Sequence, residues 1–101
     1  MKEDEKKMKL KIRVMGLMAK VLGDSLEIKV PEGTDISELS KILLNTFRER
    51  IERENIEVAF REFHAHNLIL VNGKEISALN GLKTVLKNGD EILIVNLTRG
   101  G

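Results

Sequence analysis

Apolar and charged residues alternate in the first third of the chain. Residues 9–14 alternate basic with apolar side chains, and residues 26–30 alternate again. A period of two predicts strands that bury one face and expose the other. The turn signal Gly23-Asp24 lies between the two runs, so we predict that they pair as a hairpin. Residues 1–8 precede the first run and are predicted to be a disordered tail of mixed charge.

After Pro31 the apolar spacing becomes helical. Apolar residues recur at intervals of three and four from Ile36 to Ile51, which predicts one amphipathic helix over residues 36–53. Asp35 and Glu38 have the spacing of a capping box at its start. Residues 55–66 suit a strand or a short helix equally poorly, and we predict an irregular insertion there.

Shorter strands complete the pattern. Residues 68–71 are a wholly apolar run, the turn dipeptide Asn72-Gly73 follows, and a short return strand is predicted over residues 75–77. Residues 92–97, apolar at nearly every position, predict the last strand. One helix between two groups of strands indicates a single α+β domain over residues 9–97, with a mixed sheet of four to five strands packed on one main helix. Residues 98–101 would then be a flexible tail.

The last strand is apolar on both faces, unlike the first two. One face must cover the helix. The other is either buried because the strand is central in the sheet, or exposed for docking a partner. The sequence does not decide which of its two faces points outwards. We take Leu93, Val95 and Leu97 as the candidate docking residues.

Composition narrows the classes of function. The 101 residues carry a net charge of +1, contain no cysteine, and have three phenylalanines as their only aromatic residues. These values argue against disulfides, thiolate metal sites and nucleic-acid binding. No apolar stretch is long enough to span a bilayer and the charged start is unlike a signal peptide, so no membrane contact and a cytoplasmic location are expected. His64 and His66 lack a signalled third ligand, and no metal site is predicted.

Two glycines, Gly100 and Gly101, end the chain. Glycine has no Cβ, so such an end fits a slot that is too narrow for other residues. Its carboxylate is sterically open and ionised near neutral pH. The four residues 98–101 span roughly 13 Å when extended, which is enough to enter the cleft of another protein. Arg99 is expected either to pair with an acidic rim of that cleft or to be a solvated residue near the terminus.

Several motifs resemble those of the ubiquitin-like, β-grasp sulfur carriers. These are residues 12–23 (IRVMGLMAKVLG), 30–34 (VPEGT), 71–74 (VNGK) and 81–92 (GLKTVLKNGDEI), in this order and followed by the terminal Gly-Gly. The resemblance covers residues 9–101 and implies a β-grasp fold. The family includes the small subunit of molybdopterin synthase, the thiamine-pathway sulfur carrier and the archaeal ubiquitin-like modifiers.

The resemblance implies a carrier that is the substrate of enzymes rather than an enzyme, or at most a non-catalytic small subunit of molybdopterin synthase. Gly101 would be adenylated and thiocarboxylated by an activating enzyme, with Arg99 and Gly100 threading into its cleft. Sulfur would then be donated in molybdopterin biosynthesis, with the large subunit of molybdopterin synthase as a second partner. The chain has no GxxxxGK[ST] phosphate loop, so ATP is expected to bind to the activating enzyme. No cofactor is expected to bind to this chain.

Departures from the family pattern leave two alternatives open. The residues before the glycines lack the proline that is usual in the molybdopterin branch, residues 15–18 lack its aromatic pair, and Arg99-Gly100-Gly101 resembles the end of ubiquitin. One alternative is a protein modifier or a carrier for tRNA thiolation, joined through Gly101 to lysines of target proteins. The other is a β-grasp module that binds without covalent chemistry.

Overall fold

The computed structural model describes residues 6–97, and in them five strands form one mixed sheet in the order β2-β1-β5-β3-β4. Helices pack on one face of the sheet, and the core lies between the two layers. The predicted α+β class and mixed sheet are confirmed. The strands are β1 (Lys7–Met15), β2 (Ser25–Pro31), β3 (Asn67–Val71), β4 (Lys74–Glu75) and β5 (Glu91–Asn96); the helices are α1 (Ala19–Leu22), α2 (Ile36–Thr46), α3 (Arg48–Glu54), α4 (Glu57–Arg61) and α5 (Phe63–His66).

The alternation at the start of the chain forms the antiparallel pair that it predicts. Strand β1 pairs with β2 from Lys7↔Pro31 to Arg13↔Ser25, and the short helix α1 lies in their connection. The strand begins two residues before the predicted start at Lys9. Met8 continues the buried face, is only 3% exposed and pairs with Val30. Lys7 and Met8 therefore belong to the sheet and not to the predicted tail.

Strand β5 is the central strand of the sheet. It pairs in parallel with β1 from Lys11↔Glu91 to Met15↔Val95, and antiparallel with β3 on its other side. Ile92 and Ile94 are buried in the core between the sheet and the helices. The alternative of a last strand flanked on both sides is thus confirmed, and the face that points outwards is the one with Leu93 and Val95.

The main helix is shorter than predicted. Its start is the predicted capping box, in which the backbone N–H of Glu38 donates to Asp35 at 2.8 Å and the N–H of Asp35 donates to Glu38 at 3.1 Å. The prediction of one helix over residues 36–53 is wrong, because Phe47 leaves helical geometry with φ −112° and ψ 26°. The chain bends there and continues as α3, which returns Ile51 to the core with no exposed surface.

The insertion at residues 55–66 is regular, which corrects the irregular segment that we predicted. It forms α4 and α5, two short helices that bury Ile56, Ala59, Phe60 and Phe63. These four positions have the spacing i, i+3, i+4 and i+7 of a helical face. Among residues 6–97, no helix is long and apolar enough to cross a membrane.

Gly16 allows the end of β1 to approach the end of β5 closely. Its φ is +98°, a conformation that residues with a side chain rarely adopt. A Cβ on Gly16 would lie 2.9 Å from the carbonyl oxygen of Asn96 and 3.1 Å from the Cβ of Asn96. Because one of these neighbours is backbone, the contact can be relieved only by moving a strand end.

Replacing Gly16 by alanine is expected to cost more than about 2 kcal/mol of unfolding free energy, since backbone strain and a steric clash add. Gly33→Ala is the matched control, because Gly33 has φ +87° but no atom within 4 Å of an added Cβ. The unfolding free energy of the control should fall by about 1 kcal/mol, which is the cost of placing an alanine in the left-handed conformation. Urea unfolding followed by circular dichroism measures both, and equal losses would contradict the close approach.

Candidate docking face and tail root

The predicted reactive residues lie outside the part of the chain that the structure describes. These are Arg99, Gly100 and Gly101, which follow Leu97, the last described residue. Leu97 comes directly after β5 and is 60% exposed. The structure therefore shows the folded surface from which the predicted tail begins.

The predicted docking residues Leu93 and Val95 lie half-buried on the outer face of the sheet, opposite the helices. In register with them are Arg13 and Met15 of β1, and on the other side Leu70 and Leu68 of β3. Met15 is 57% exposed and Leu68 is 39% exposed. An apolar surface thus extends across three strands. We call it the outer patch: Met15, Leu68, Leu70, Leu93 and Val95.

Sequence reasoning missed three members of the outer patch. Met15 reads as a gap-filling residue at a strand end, and Leu68 and Leu70 belong to a short run that is apolar throughout. That run alternates in burial in the structure, with Ile69 buried and its two neighbours facing outwards. Two strands in this sheet are apolar on both faces, and this shared property was the signal that could have grouped them.

A basic stripe borders the outer patch. Three basic residues are exposed on the outer face of β1, the strand next to β5: Lys9, Lys11 and Arg13. Their neighbour Glu27 lies 3.9 Å from the Lys9 ammonium group, with both side chains more than half exposed. Glu27 on β2 and Glu91 on β5 both lie in register with Lys11, so two carboxylates offset part of the positive charge of the stripe. The outer face is therefore apolar on one side and basic on the other.

A shallow groove lies where the stripe meets the patch. Its volume is 260 Å³, and its lining includes Arg13, Met15, Leu70 and Leu93. This volume is below the range of about 300–1,000 Å³ that is typical for drug-sized ligands. The groove is suited to a side chain of a partner protein rather than to a cofactor.

The root of the tail is hydrogen-bonded to the body. The backbone N–H of Leu97 donates to the carbonyl of His66 at 2.8 Å. Asn96 is 8% exposed, and its side-chain amide donates to Oδ1 of Asn67 at 2.9 Å and to the carbonyl of His66 at 3.3 Å. The sequence analysis assigned no role to Asn67 or Asn96. The feature that could have identified them is that each is a polar residue next to an apolar strand segment.

The two histidines lie on α5, not on a strand. Nε2 of His66 is 3.3 Å from Glu62, one helical turn earlier, while His64 is exposed. Within residues 6–97, no group of three or more histidine, cysteine or acidic side chains is arranged to hold a metal ion.

This sheet order and helical layer define a ubiquitin-like β-grasp fold, as the solved structures with the same architecture indicate. The HVO 2177 protein of Haloferax volcanii is 23% identical, with a TM-score of 0.70 over 94% of this chain and 88% of that one. The small archaeal modifier protein 1 of Methanosarcina acetivorans is 22% identical, with a TM-score of 0.65 over 95% and 99%. The complex of subunits 1 and 2 of the molybdopterin-converting factor of Helicobacter pylori contains a chain that is 24% identical, with a TM-score of 0.52 over 93% and 100%.

The family model of the ThiS family matches residues 12–101. The chain therefore belongs to the ThiS family, and the predicted membership of the ubiquitin-like sulfur carriers is confirmed. A search of curated proteins found no match. The match begins within β1 and extends through the terminal glycines, so it covers both the folded body and the predicted reactive end.

We expect that the exposed residues of the outer patch do not need to be apolar for the protein to fold. Met15→Ser and Leu68→Ser should each change the unfolding free energy by no more than about 0.5 kcal/mol, as surface substitutions do. Ile94→Ala, on the opposite face of the central strand, should cost about 2–5 kcal/mol because it leaves a cavity. Denaturant unfolding compares the three. Losses above about 1 kcal/mol in both serine variants would assign the patch to the core instead.

Proposed function

We propose that this protein is a sulfur carrier whose C-terminal carboxylate, on Gly101, is adenylated and then thiocarboxylated by a partner enzyme. The observation that carries the proposal is the family match, which continues through residue 101. The position of β5 supports it as well. The central strand leads directly into Leu97, so the last described residue lies beside the outer patch.

The chemistry needs an activated carboxylate. A carboxylate oxygen attacks the α-phosphorus of ATP, and pyrophosphate leaves. The resulting acyl adenylate has AMP as a good leaving group. Hydrosulfide attacks the carbonyl carbon, AMP leaves, and loss of the sulfur-bound proton gives the thiocarboxylate. Both the carboxylate and ATP are anionic, so the partner must supply cations or a metal ion for their encounter. Gly101 carries the reacting carbon, while Gly100 allows the close approach.

The folded body supplies recognition in this proposal. The outer patch would be covered by an apolar surface of the activating enzyme, and the basic stripe would face acidic residues at the rim of that interface. Arg99 would extend the same positive charge towards the enzyme's cleft. Recognition and reaction are then separated, because the patch binds at a distance from the carboxylate that reacts.

Molybdopterin biosynthesis is the pathway that we propose for the transferred sulfur. The observation in favour is the likeness to a chain from the complex of the two subunits of the molybdopterin-converting factor. A second subunit of that kind would be the partner that receives the thiocarboxylate after activation. The outer patch is available for either partner in turn, since both need access to the same chain end.

Conjugation to proteins is the second candidate. The observation in its favour is the likeness to the small archaeal modifier protein 1, with a TM-score of 0.65. In this alternative the acyl adenylate is captured by a lysine amine of a target protein, which forms an amide, or the carrier serves tRNA thiolation. The adenylation step and its dependence on Gly101 are the same in both candidates.

The mass of the protein after activation tests the proposed chemistry. The carrier is incubated with ATP, a sulfur donor and the adenylating enzyme of the same organism, and intact mass is measured. We expect a gain equal to the difference between one sulfur and one oxygen atom, because a single carboxylate oxygen is replaced. Deletion of Gly101 should abolish the gain without changing the circular dichroism spectrum.

Other products of that experiment have distinct meanings. Conjugates of higher mass, joined to lysines, would favour the protein modifier. If neither product forms and the protein lacking Gly101 still binds its partners normally, the chain acts by non-covalent binding and the carrier proposal is wrong.

Docking through the outer patch is tested with the exposed leucine. Leu68→Ser should weaken binding to the adenylating enzyme about tenfold, since a central apolar contact is worth more than 1 kcal/mol in an interface. Val58→Ser is the control, because Val58 is 49% exposed on α4, in the helical layer. Isothermal titration calorimetry measures both. Equal affinities of the two variants would place the docking surface elsewhere.

A further inference from the structure

The last residue of β5 is held by three separate parts of the fold. Asn96 pairs in register with Asn67 at the start of β3, and its side-chain amide donates to Asn67 and to the carbonyl of His66 at the end of α5. On the side of β1, Gly16 lies so close that a Cβ there would contact the carbonyl of Asn96.

The same network reaches into the insertion. The amide of Asn67 donates to the carbonyl of Ala59 in α4 at 3.0 Å and to the carbonyl of Phe63 in α5 at 2.8 Å. Asn67 is 5% exposed, so these hydrogen bonds are protected from water. One buried amide therefore ties both insertion helices to the strand that precedes the tail, through Asn96.

We infer that Asn67 and Asn96 are positioning residues, which clamp the root of the tail and use the insertion as their support. The inference rests on the proposed function, in which Gly101 must reach the active site of another protein. Fixing Leu97 fixes the point from which the following segment starts. Each residue released from the clamp would add about 3.3 Å of reach and its own conformational freedom, which must be lost again on binding.

The clamp acts on binding rather than on the chemical step. A tail that starts from a fixed point loses less entropy when it enters the enzyme's cleft, so preorganisation lowers the KM for the carrier. Once the carboxylate is in place, the reacting groups belong to the enzyme. A weaker clamp should accordingly raise KM while leaving kcat unchanged.

The test uses Asn96→Asp, which keeps the shape of the side chain and removes the amide that donates to Asn67 and His66. Asn72→Asp is the matched control. Asn72 also joins two elements through its side chain, but it contacts Asp90 and the N–H of Glu91, at the opposite end of β5 from the tail. Both variants replace one amide group by a carboxylate and have the same net charge. The carboxylate is buried at position 96 and exposed at position 72, so the Ile94 amide is followed as well to detect the cost of the buried charge.

Hydrogen exchange of the free protein gives the first measurement. We expect the Leu97 amide to exchange about tenfold faster in Asn96→Asp than in the wild type, and at the wild-type rate in Asn72→Asp. A general loss of stability would instead accelerate the amide of Ile94 in the core, because strand ends exchange by local opening. Unchanged exchange at Leu97 in Asn96→Asp would overturn the clamp.

Adenylation kinetics give the second measurement. Pyrophosphate exchange with the adenylating enzyme should show a KM for Asn96→Asp that is raised about fivefold at an unchanged kcat, whereas Asn72→Asp should match the wild type. Faster hydrogen exchange at the Leu97 amide with an unchanged KM for adenylation would overturn the role of the clamp in activation. A wild-type protein that is not adenylated would overturn the proposed function, and exchange at Leu97 would still decide whether the clamp exists.

If Asn96→Asp does not fold, Asn67→Asp provides the same test from the other side. This variant keeps the oxygen that accepts from Asn96 but loses both donations to the insertion. Faster exchange at Leu97 and in α5, together with a raised KM, would support the insertion as the clamp's support. Wild-type exchange at Leu97 would overturn that part of the inference.

Discussion

The pairing of β5 between β1 and β3 is the interaction on which the other features of this protein depend. It places the last strand of the chain at the centre of the sheet, with a parallel neighbour on one side and an antiparallel neighbour on the other. A central strand needs apolar residues towards the helices, which Ile92 and Ile94 provide. Leu97, which follows β5, therefore lies next to the middle of the sheet and not at an edge strand.

The position of β5 also explains why the outer face is divided. Its outward residues Leu93 and Val95 lie between Met15 on β1 and the leucines of β3, so their apolar surfaces join into one patch. The rest of β1 is basic on that face. Nothing in the folded core requires Met15 or Leu68 to be apolar at exposures of 57% and 39%. Exposed apolar patches beside charged residues are common at protein interaction sites, and the proposed docking role of the outer patch rests on this property.

The sequence predicted what short-range patterns determine and missed what depends on tertiary packing. The alternation at residues 9–14 and the capping box at Asp35 are local signals, and the strand and the helix start that they predict both form. The bend at Phe47 has no comparable signal, because the apolar spacing continues through it. Residues 55–66 carried a helical spacing that was hidden by their many charges and by their short length. The outward face of β5 and the contact between Asn67 and Asn96 required the strand order and the register, which no local pattern contains.

The insertion acquires a physical role from this arrangement. Two helices as short as α4 and α5 are not stable alone, and they form here because Phe60 and Phe63 enter the common core. Their carbonyl groups nevertheless need partners, and Asn67 satisfies two of them in a buried place. The side-chain amide of Asn67 therefore stabilises the insertion and also holds the end of β5, because Asn96 donates a hydrogen bond to the same side chain. The support of the insertion and the position of the end of β5 therefore depend on one buried side chain, that of Asn67.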